Sequence, residues 1–364
     1  MPISPGTDFW LVGLAVAIAA VPAGSLLTVL ARRFALALGM IDVPGVRSSH
    51  ERPTPRGAGL AIVAIGLGVT ALAAWTGWLS GPAASALFGG GALVAAVSWL
   101  EDWRGVSWRW RVAAQAVAAT WALAWLGGFG PLDLGDRSIA LGPTGGIVAL
   151  LGIIWGTNFF NFMDGIDGLA GAEAMVVGGV GGVLLLAGGD PGLACVALAL
   201  AGAAGGFLRH NWTPARVFLG DVGSTYLGFT LCTIAVASAN GGSVPMIVWG
   251  ILLGAFVFDA TVTLARRVLD GYGVCEGHRE HAFCRAVRAG WNHAQVSTAV
   301  VALDLLLVVL AGIGWRWPSL LMACAVAGLA VLAVAYLWVE MQFPMTRRAW
   351  RSEPASAGTE ELAA

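Results

Sequence analysis

The chain has 364 residues, of which 58% are apolar and only 11% charged, with a mean hydropathy of +0.79 and a formal net charge of -1. This composition excludes an ordinary soluble domain and identifies an integral membrane protein, and the near-neutral charge gives no reason to expect a nucleic-acid partner. All 20 basic residues are arginine, and their distribution along the chain is more informative than their number.

Apolar runs of about 17 to 22 residues, the length a helix needs to cross the hydrocarbon core, predict eleven spans. They cover residues 9–30, 58–78, 83–100, 112–128, 146–163, 168–187, 191–208, 222–238, 244–265, 296–314 and 318–339. Residues 1–8 carry Asp8 and no basic residue, so the first run reads as a retained helix and not as a cleaved signal peptide. With the loops taken alternately, 18 of the 20 arginines fall on one side, and only Arg137 and Arg316 on the other. Positive charge is retained in cytoplasmic loops, which predicts a periplasmic amino terminus and a cytoplasmic carboxyl terminus. The expected fold is all-α and polytopic, a single transmembrane catalytic domain over 1–343 followed by a disordered tail at 344–364. Glycine ridges at 178–182 and 202–206 suit close helix packing in lipid. Cys275, His278, His281 and Cys284 repeat every three residues, but a regular helix would spread them around about half its circumference, which disfavours zinc.

The chemistry-bearing motifs gather at the cytoplasmic ends of the predicted spans. The loop from Asp42 to Leu60 joins turn residues to His50 and several arginines, Arg56 among them. Glu101 and Asp102 close the third span beside Arg104, Arg109 and Arg111, where a surface salt-bridge cluster is the plainer reading. The stretch NFFNFMDGIDGLAG places Asn158, Asn161 and Asp164 at three-residue steps, and glycines then let the chain reverse around Asp167. Its bland alternative is a polar hairpin with Asp167 as an N-cap. In RVFLGDVGSTYLG, Asp221 stands between Gly220 and Gly223 at a helix start suited to phosphate, with Phe218 placed to stack on a planar base; capping by Asp221 or Ser224 is the alternative. Asp259 lies about 9 Å inside the ninth span and Asp304 lies inside the tenth, with no partner evident from its own neighbourhood. The loop GHREHAFCRAVR concentrates His278, Arg279 and His281, groups that clamp phosphate or, in the plainer reading, meet anionic lipid. Hard oxygen ligands interleaved with arginine fit Mg²⁺ and a nucleotide diphosphate, and their place at a membrane boundary implies a lipid-borne second substrate.

Through RSSHERPTPRGAG, the acidic pair after the third span, NFFNFMDGIDGLAG, FLGDVGS and HREH, the chain resembles the bacterial polyprenyl-phosphate N-acetylhexosamine-1-phosphate transferases, the MraY/WecA-like glycosyltransferase family 4. The motifs follow one another in order over roughly residues 40–300, and the HREH and RSSH spellings are most similar to the branch that starts O-antigen synthesis with GlcNAc, FucNAc or QuiNAc phosphates. The resemblance implies a multi-pass enzyme of the bacterial inner membrane whose active site faces the cytoplasm. Its substrates would be a UDP-N-acetylhexosamine and undecaprenyl phosphate, and its cofactor Mg²⁺, with Mn²⁺ as an alternative; a homodimer is compatible with it. By that resemblance Asp221 leads as metal ligand together with Asp164, and Asp102, Glu101, Asp164, Asp167, His278 and His281 are the catalytic candidates. Asn158, Asn161, Phe218, His50, Arg56 and Arg279 would bind substrate. Glu101 departs from the usual first Asp of the acidic pair, which leaves the choice of base between Glu101 and Asp102 open. The alternative from a different class is a secondary transporter of an anionic solute using Asp259 and Asp304. It predicts polar groups spread through the bilayer and is disfavoured by acids that cluster at the span ends and by the absence of a visible repeat.

Overall fold

The computed structural model describes residues 7–45, 52–273 and 279–345. Backbone N–H and C=O groups find no water in lipid, so apolar segments close their hydrogen bonds internally as helices. They follow in the order α1 (Thr7–Ala37), α2 (Leu60–Trp75), α3 (Gly81–Ser85), a π-helical turn (Ala86–Gly90), α4 (Gly91–Arg104), α5 (Trp108–Leu126), α6 (Pro143–Met163) and α7 (Leu169–Ala187). The chain continues through α8 (Pro191–Asn211), α9 (Gly220–Gly241), α10 (Met246–Leu252), α11 (Gly254–Leu269), α12 (Ala282–Arg288), α13 (His293–Arg316) and α14 (Leu321–Gln342). Two short antiparallel pairs accompany them: β1 (Ile41–Asp42) with β2 (Thr54–Pro55), and β3 (Leu132–Asp133) with β4 (Ser138–Ile139). The molecule is a helical, multi-pass membrane protein.

All eleven predicted runs fall on helices, yet among the described residues eight helices are long and apolar enough to span, or nine when a broken pair counts as one. The run 58–78 yields only the 16-residue α2, and α5 opens on Trp108, Arg109, Trp110 and Arg111, whose charges lower its hydropathy. The run 244–265 is where the pair breaks: α10 ends at Leu252, α11 begins at Gly254, and the two diverge by 77°. The expected disordered tail falls, from residue 346 onward, outside the described residues, as do His50, Cys275 and His278.

Packing sorts the helices into an inner and an outer set. In α8 and α9 some 83% of the spanning window is buried, against 17% for α1 and 28% for α13 and α14. Small residues permit the closest crossings: a Cβ on Gly206 of α8 would lie 2.2 Å from the Val21 carbonyl of α1, and one on Gly59 would lie 2.2 Å from the Gly223 Cα. The second crossing brings the chain before α2 against the first turn of α9. There the Gly59 and Ala58 N–H groups donate to the carbonyls of Leu219 and Phe218.

Candidate functional site

At one end of the bundle the carboxyl ends of α4 and α6 meet the amino ends of α7, α9 and α13 around a cavity of about 260 Å³. Asp42, Arg56, Asp102, Asn161, Asp164, Asp167, Phe218, Asp221 and His293 contribute to its walls, together with Asn211. Four aspartates drawn from α4, the α6–α7 turn and α9 therefore face one small space.

Asp102, 4% exposed, is held by the start of α9: its carboxylate accepts from the N–H groups of Asp221 and Val222, each at 3.0 Å. Unpaired amides and the helix dipole at that end favour an anion. The approach requires glycine at 220, where φ is +77° and a Cβ would lie 2.6 Å from Asp102 Oδ2. Arg56 Nε stands 3.6 Å from the same carboxylate, and its guanidinium donates to the Asp102 carbonyl at 3.2 Å. Asp221 receives Arg111 Nη1 at 2.9 Å. Because Leu219 is the N-cap of α9 and the Ser224 hydroxyl donates to the Gly220 carbonyl, neither Asp221 nor Ser224 caps the helix.

Asp167 is similarly committed. Its carboxylate accepts from the Ala215 N–H at 3.0 Å and the Thr213 hydroxyl at 3.4 Å, His293 Nδ1 lies 3.3 Å away, and Ser297 donates to its carbonyl at 2.9 Å. Burial works to raise this carboxyl, but the His293 contact and the Ala215 N–H outweigh it and hold the group below the usual carboxylate range. Capping does not explain Asp167, since the N-cap of α7 is Gly168, whose N–H is taken by the Asn211 amide at 2.9 Å.

Asp164 differs from both. It caps the carboxyl end of α6, and its carboxylate accepts no hydrogen bond among the described residues. Burial, followed by the charges of Asp221, Asp102 and Asp167, pushes it well above the usual carboxylate range. Such an excess of hard oxygen donors suits a divalent cation. Among the described residues no three Asp, Glu, His or Cys side chains converge as a ready-made ligand set.

Several predicted site residues lie outside this cavity. Glu101 accepts from the Val106 N–H and stands 3.6 Å from Arg111, so it organises the turn after α4. Asn158 is engaged with Gln115 of α5, to which its amide donates at 2.6 Å, while Asn161 lines the cavity and donates to Ser224 at 3.0 Å. His281 is buried between Phe162 and Phe283, with Nδ1 3.6 Å from Asp259. Arg279 is half-buried in the segment before it and does not line the cavity. Asp259 itself accepts the Ala282 N–H on both oxygens at 3.0 Å, fastening the start of α12. The sequence reading did not single out Asp42, Asn211 or His293. For His293 a signal existed: Asn292 and Gln295 form a reciprocal capping box, which marks a helix start and puts the histidine at the same boundary as the acids.

A second cavity, of about 730 Å³, opens between α11, α12, α13 and α14 with a nearly all-apolar lining that includes Met163, Phe258, Phe283, Trp291 and Val300. It adjoins the polar one. Met163 precedes Asp164 in the chain, and Phe283 packs so closely on Gly165 that a Cβ there would lie 2.9 Å from the ring.

The sequence profile of glycosyl transferase family 4 matches residues 84–239. A phospho-N-acetylmuramoyl-pentapeptide-transferase of Synechococcus sp. (strain JA-3-3Ab) is 32% identical over 81% of this chain and 88% of its own length. A probable undecaprenyl-phosphate N-acetylglucosaminyl 1-phosphate transferase of Bacillus subtilis (strain 168) is 26% identical over 87% and 88%. An undecaprenyl-phosphate alpha-N-acetylglucosaminyl 1-phosphate transferase of Yersinia pestis is 28% identical over 88% of each.

Proposed function

Because the chain belongs to glycosyl transferase family 4, we propose that it transfers a sugar 1-phosphate from a UDP-N-acetylhexosamine to undecaprenyl phosphate, releasing UMP. The observation that carries this reading is the adjacency of an acidic cavity fit for a diphosphate and its cation to an apolar groove fit for a polyprenyl chain. A soluble donor and a lipid acceptor need such neighbours. The relatives named for undecaprenyl phosphate and N-acetylglucosamine support the substrate pair. The sugar is proposed to be of the GlcNAc, FucNAc or QuiNAc type, serving an initiating step of O-antigen or other envelope polysaccharide synthesis.

Mg²⁺ is proposed to be held by Asp221 and Asp164, two cavity carboxylates that accept no backbone N–H among the described residues. When bound, it would neutralise charge on the diphosphate and on the departing UMP. Phe218 lines the cavity where a uracil ring can lie against it, and Asn161 offers its amide to the nucleotide. Asp102 keeps the first turn of α9 in place, and Arg56 beside it presents a cation to an incoming phosphate. Asp167, ionised and fixed by His293, is placed to orient the acceptor phosphate or to take its proton. The proposed orientation sets this end of the bundle in the cytoplasm of a bacterial inner membrane, as the arginine distribution supports. The transport alternative loses one of its two coupling carboxylates, since Asp259 is committed to fastening α12.

The test is UMP release by the purified chain with Mg²⁺, a polyprenyl phosphate and a panel of UDP-N-acetylhexosamines. Release with at least one donor, abolished by Asp221→Ala, is expected; no UMP from any donor in a well-folded preparation refutes the reading.

A further inference from the structure

Two carboxyl groups lie inside the bundle, apart from the cavity just described. Glu173 is the fifth residue of α7 and Asp304 lies midway along α13, both helices long and apolar enough to cross a membrane, and each residue is 1% exposed. α13 packs on α7, and the two side chains come within hydrogen-bonding reach of each other. Among the described residues, no N–H, hydroxyl or cationic group donates to any of their four carboxylate oxygens. An ionised carboxylate only accepts, so two of them cannot bond to each other unless one carries a proton. Two like charges side by side in a low-dielectric interior without a cation would be strongly disfavoured, and protonation is the way such groups escape that cost.

We propose that Glu173 and Asp304 form a proton-binding site in the membrane interior, in which the O–H of one carboxylic acid donates to an oxygen of the other carboxyl and ties α7 to α13. The tie lies beneath the acidic cavity. Asp304 is eleven residues along α13 from His293, about 16 Å deeper and only about 20° around the axis. Ser297, which donates to the Asp167 carbonyl, lies on the same face. The bonded pair thus joins the helix that follows Asp167 to the helix that begins at His293.

Infrared spectroscopy of the full chain in detergent reads the proton directly. We expect the protonated-carboxyl C=O band of the wild type to lose a component in the E173Q/D304N double variant, the remainder belonging to groups outside the pair such as Asp164. The E173Q amide can donate where the acid did, so this variant should melt within about 3 °C of wild type, whereas E173L, which leaves Asp304 without a donor, should melt lower by roughly 6 °C or more. A band unchanged in E173Q/D304N overturns the proposal. So does a spectrum with no such band, or a pair whose stability rises with sodium in the band's absence, which would make the ligand a monovalent metal cation. If the double variant does not fold, the single variants E173Q and D304N must each shift or diminish the band, and a band that both leave unchanged refutes the site.

Discussion

Five aspartates line one cavity, and the surroundings of Asp102, Asp164, Asp167 and Asp221 assign them different work. Asp102 and Asp167 are saturated by backbone and side-chain donors, whereas Asp164 accepts no hydrogen bond among the described residues and is crowded by like charges. Replacing a carboxylate that repels its neighbours removes strain and function together. Asp164→Asn should therefore raise the melting temperature of the metal-free protein by a few degrees while cutting UMP release by about 10²-fold or more, compared by thermal scan and assay on one preparation. For Asp167 the native carboxyl titrates below its unfolded value. Its stabilising contribution is complete above the unfolded pKa of about 4 and disappears as the pH falls through the lower native value. The melting deficit of Asp167→Asn relative to wild type should accordingly be full above about pH 5 and shrink progressively as the pH is lowered below about 4. Glycine-punctuated acidic turns made Asp164, Asp167 and Asp221 legible in the sequence. The neighbouring asparagines were harder, because a three-residue step falls about 60° short of a full helical turn; over two steps Asn158 rotates away from Asp164 and reaches Gln115. Nor can spacing pair Glu173 with Asp304, 131 residues apart by their numbers, since only the packing of α7 on α13 brings them together.

Among the elements, the long apolar helices were visible as runs, since lipid enforces both composition and length. The break at Leu253 was not, because α10 and α11 are both apolar there and hydropathy does not register a change of direction. The short α12 was also missed; seven residues carry too little periodicity, and what fixes the helix is the distant Asp259 carboxylate at its first N–H. That anchor can be tested through Cys284, which is buried in α12 and whose thiol is pushed up to about 12 by burial and next by the Asp259 charge. In a background lacking the other cysteines, Cys284 should resist maleimide near neutral pH and become labelled at least about tenfold faster after Asp259→Ala, as loss of a charged hydrogen-bond acceptor costs about 1.5–3 kcal/mol. At the crossing of the pre-α2 loop with α9, Gly59→Ala would drive a methyl into the Gly223 backbone. Its expected signature is a lowered melting temperature together with lost UMP release, because the same contact sets the start of α9 against Asp102.

At the scale of the molecule, buried α8 and α9 form a core around which α1, α13 and α14 present apolar faces. The arginine asymmetry predicts which way this body sits. A fluorescent protein that matures only in the cytoplasm should glow when fused after residue 345 and stay dark when fused before residue 7, and the reverse pattern would move the acidic cavity to the other side of the membrane.

The 77° turn between α10 and α11 also bears on how turnover should be measured. The apolar groove lies between α11 and its neighbours, α12, α13 and α14, so an acceptor would reach it sideways out of the leaflet. Its operative concentration is then a density per unit of bilayer area, not an amount per volume. Adding inert detergent at fixed total acceptor should slow the reaction by surface dilution, while the dependence on the water-soluble donor stays unchanged.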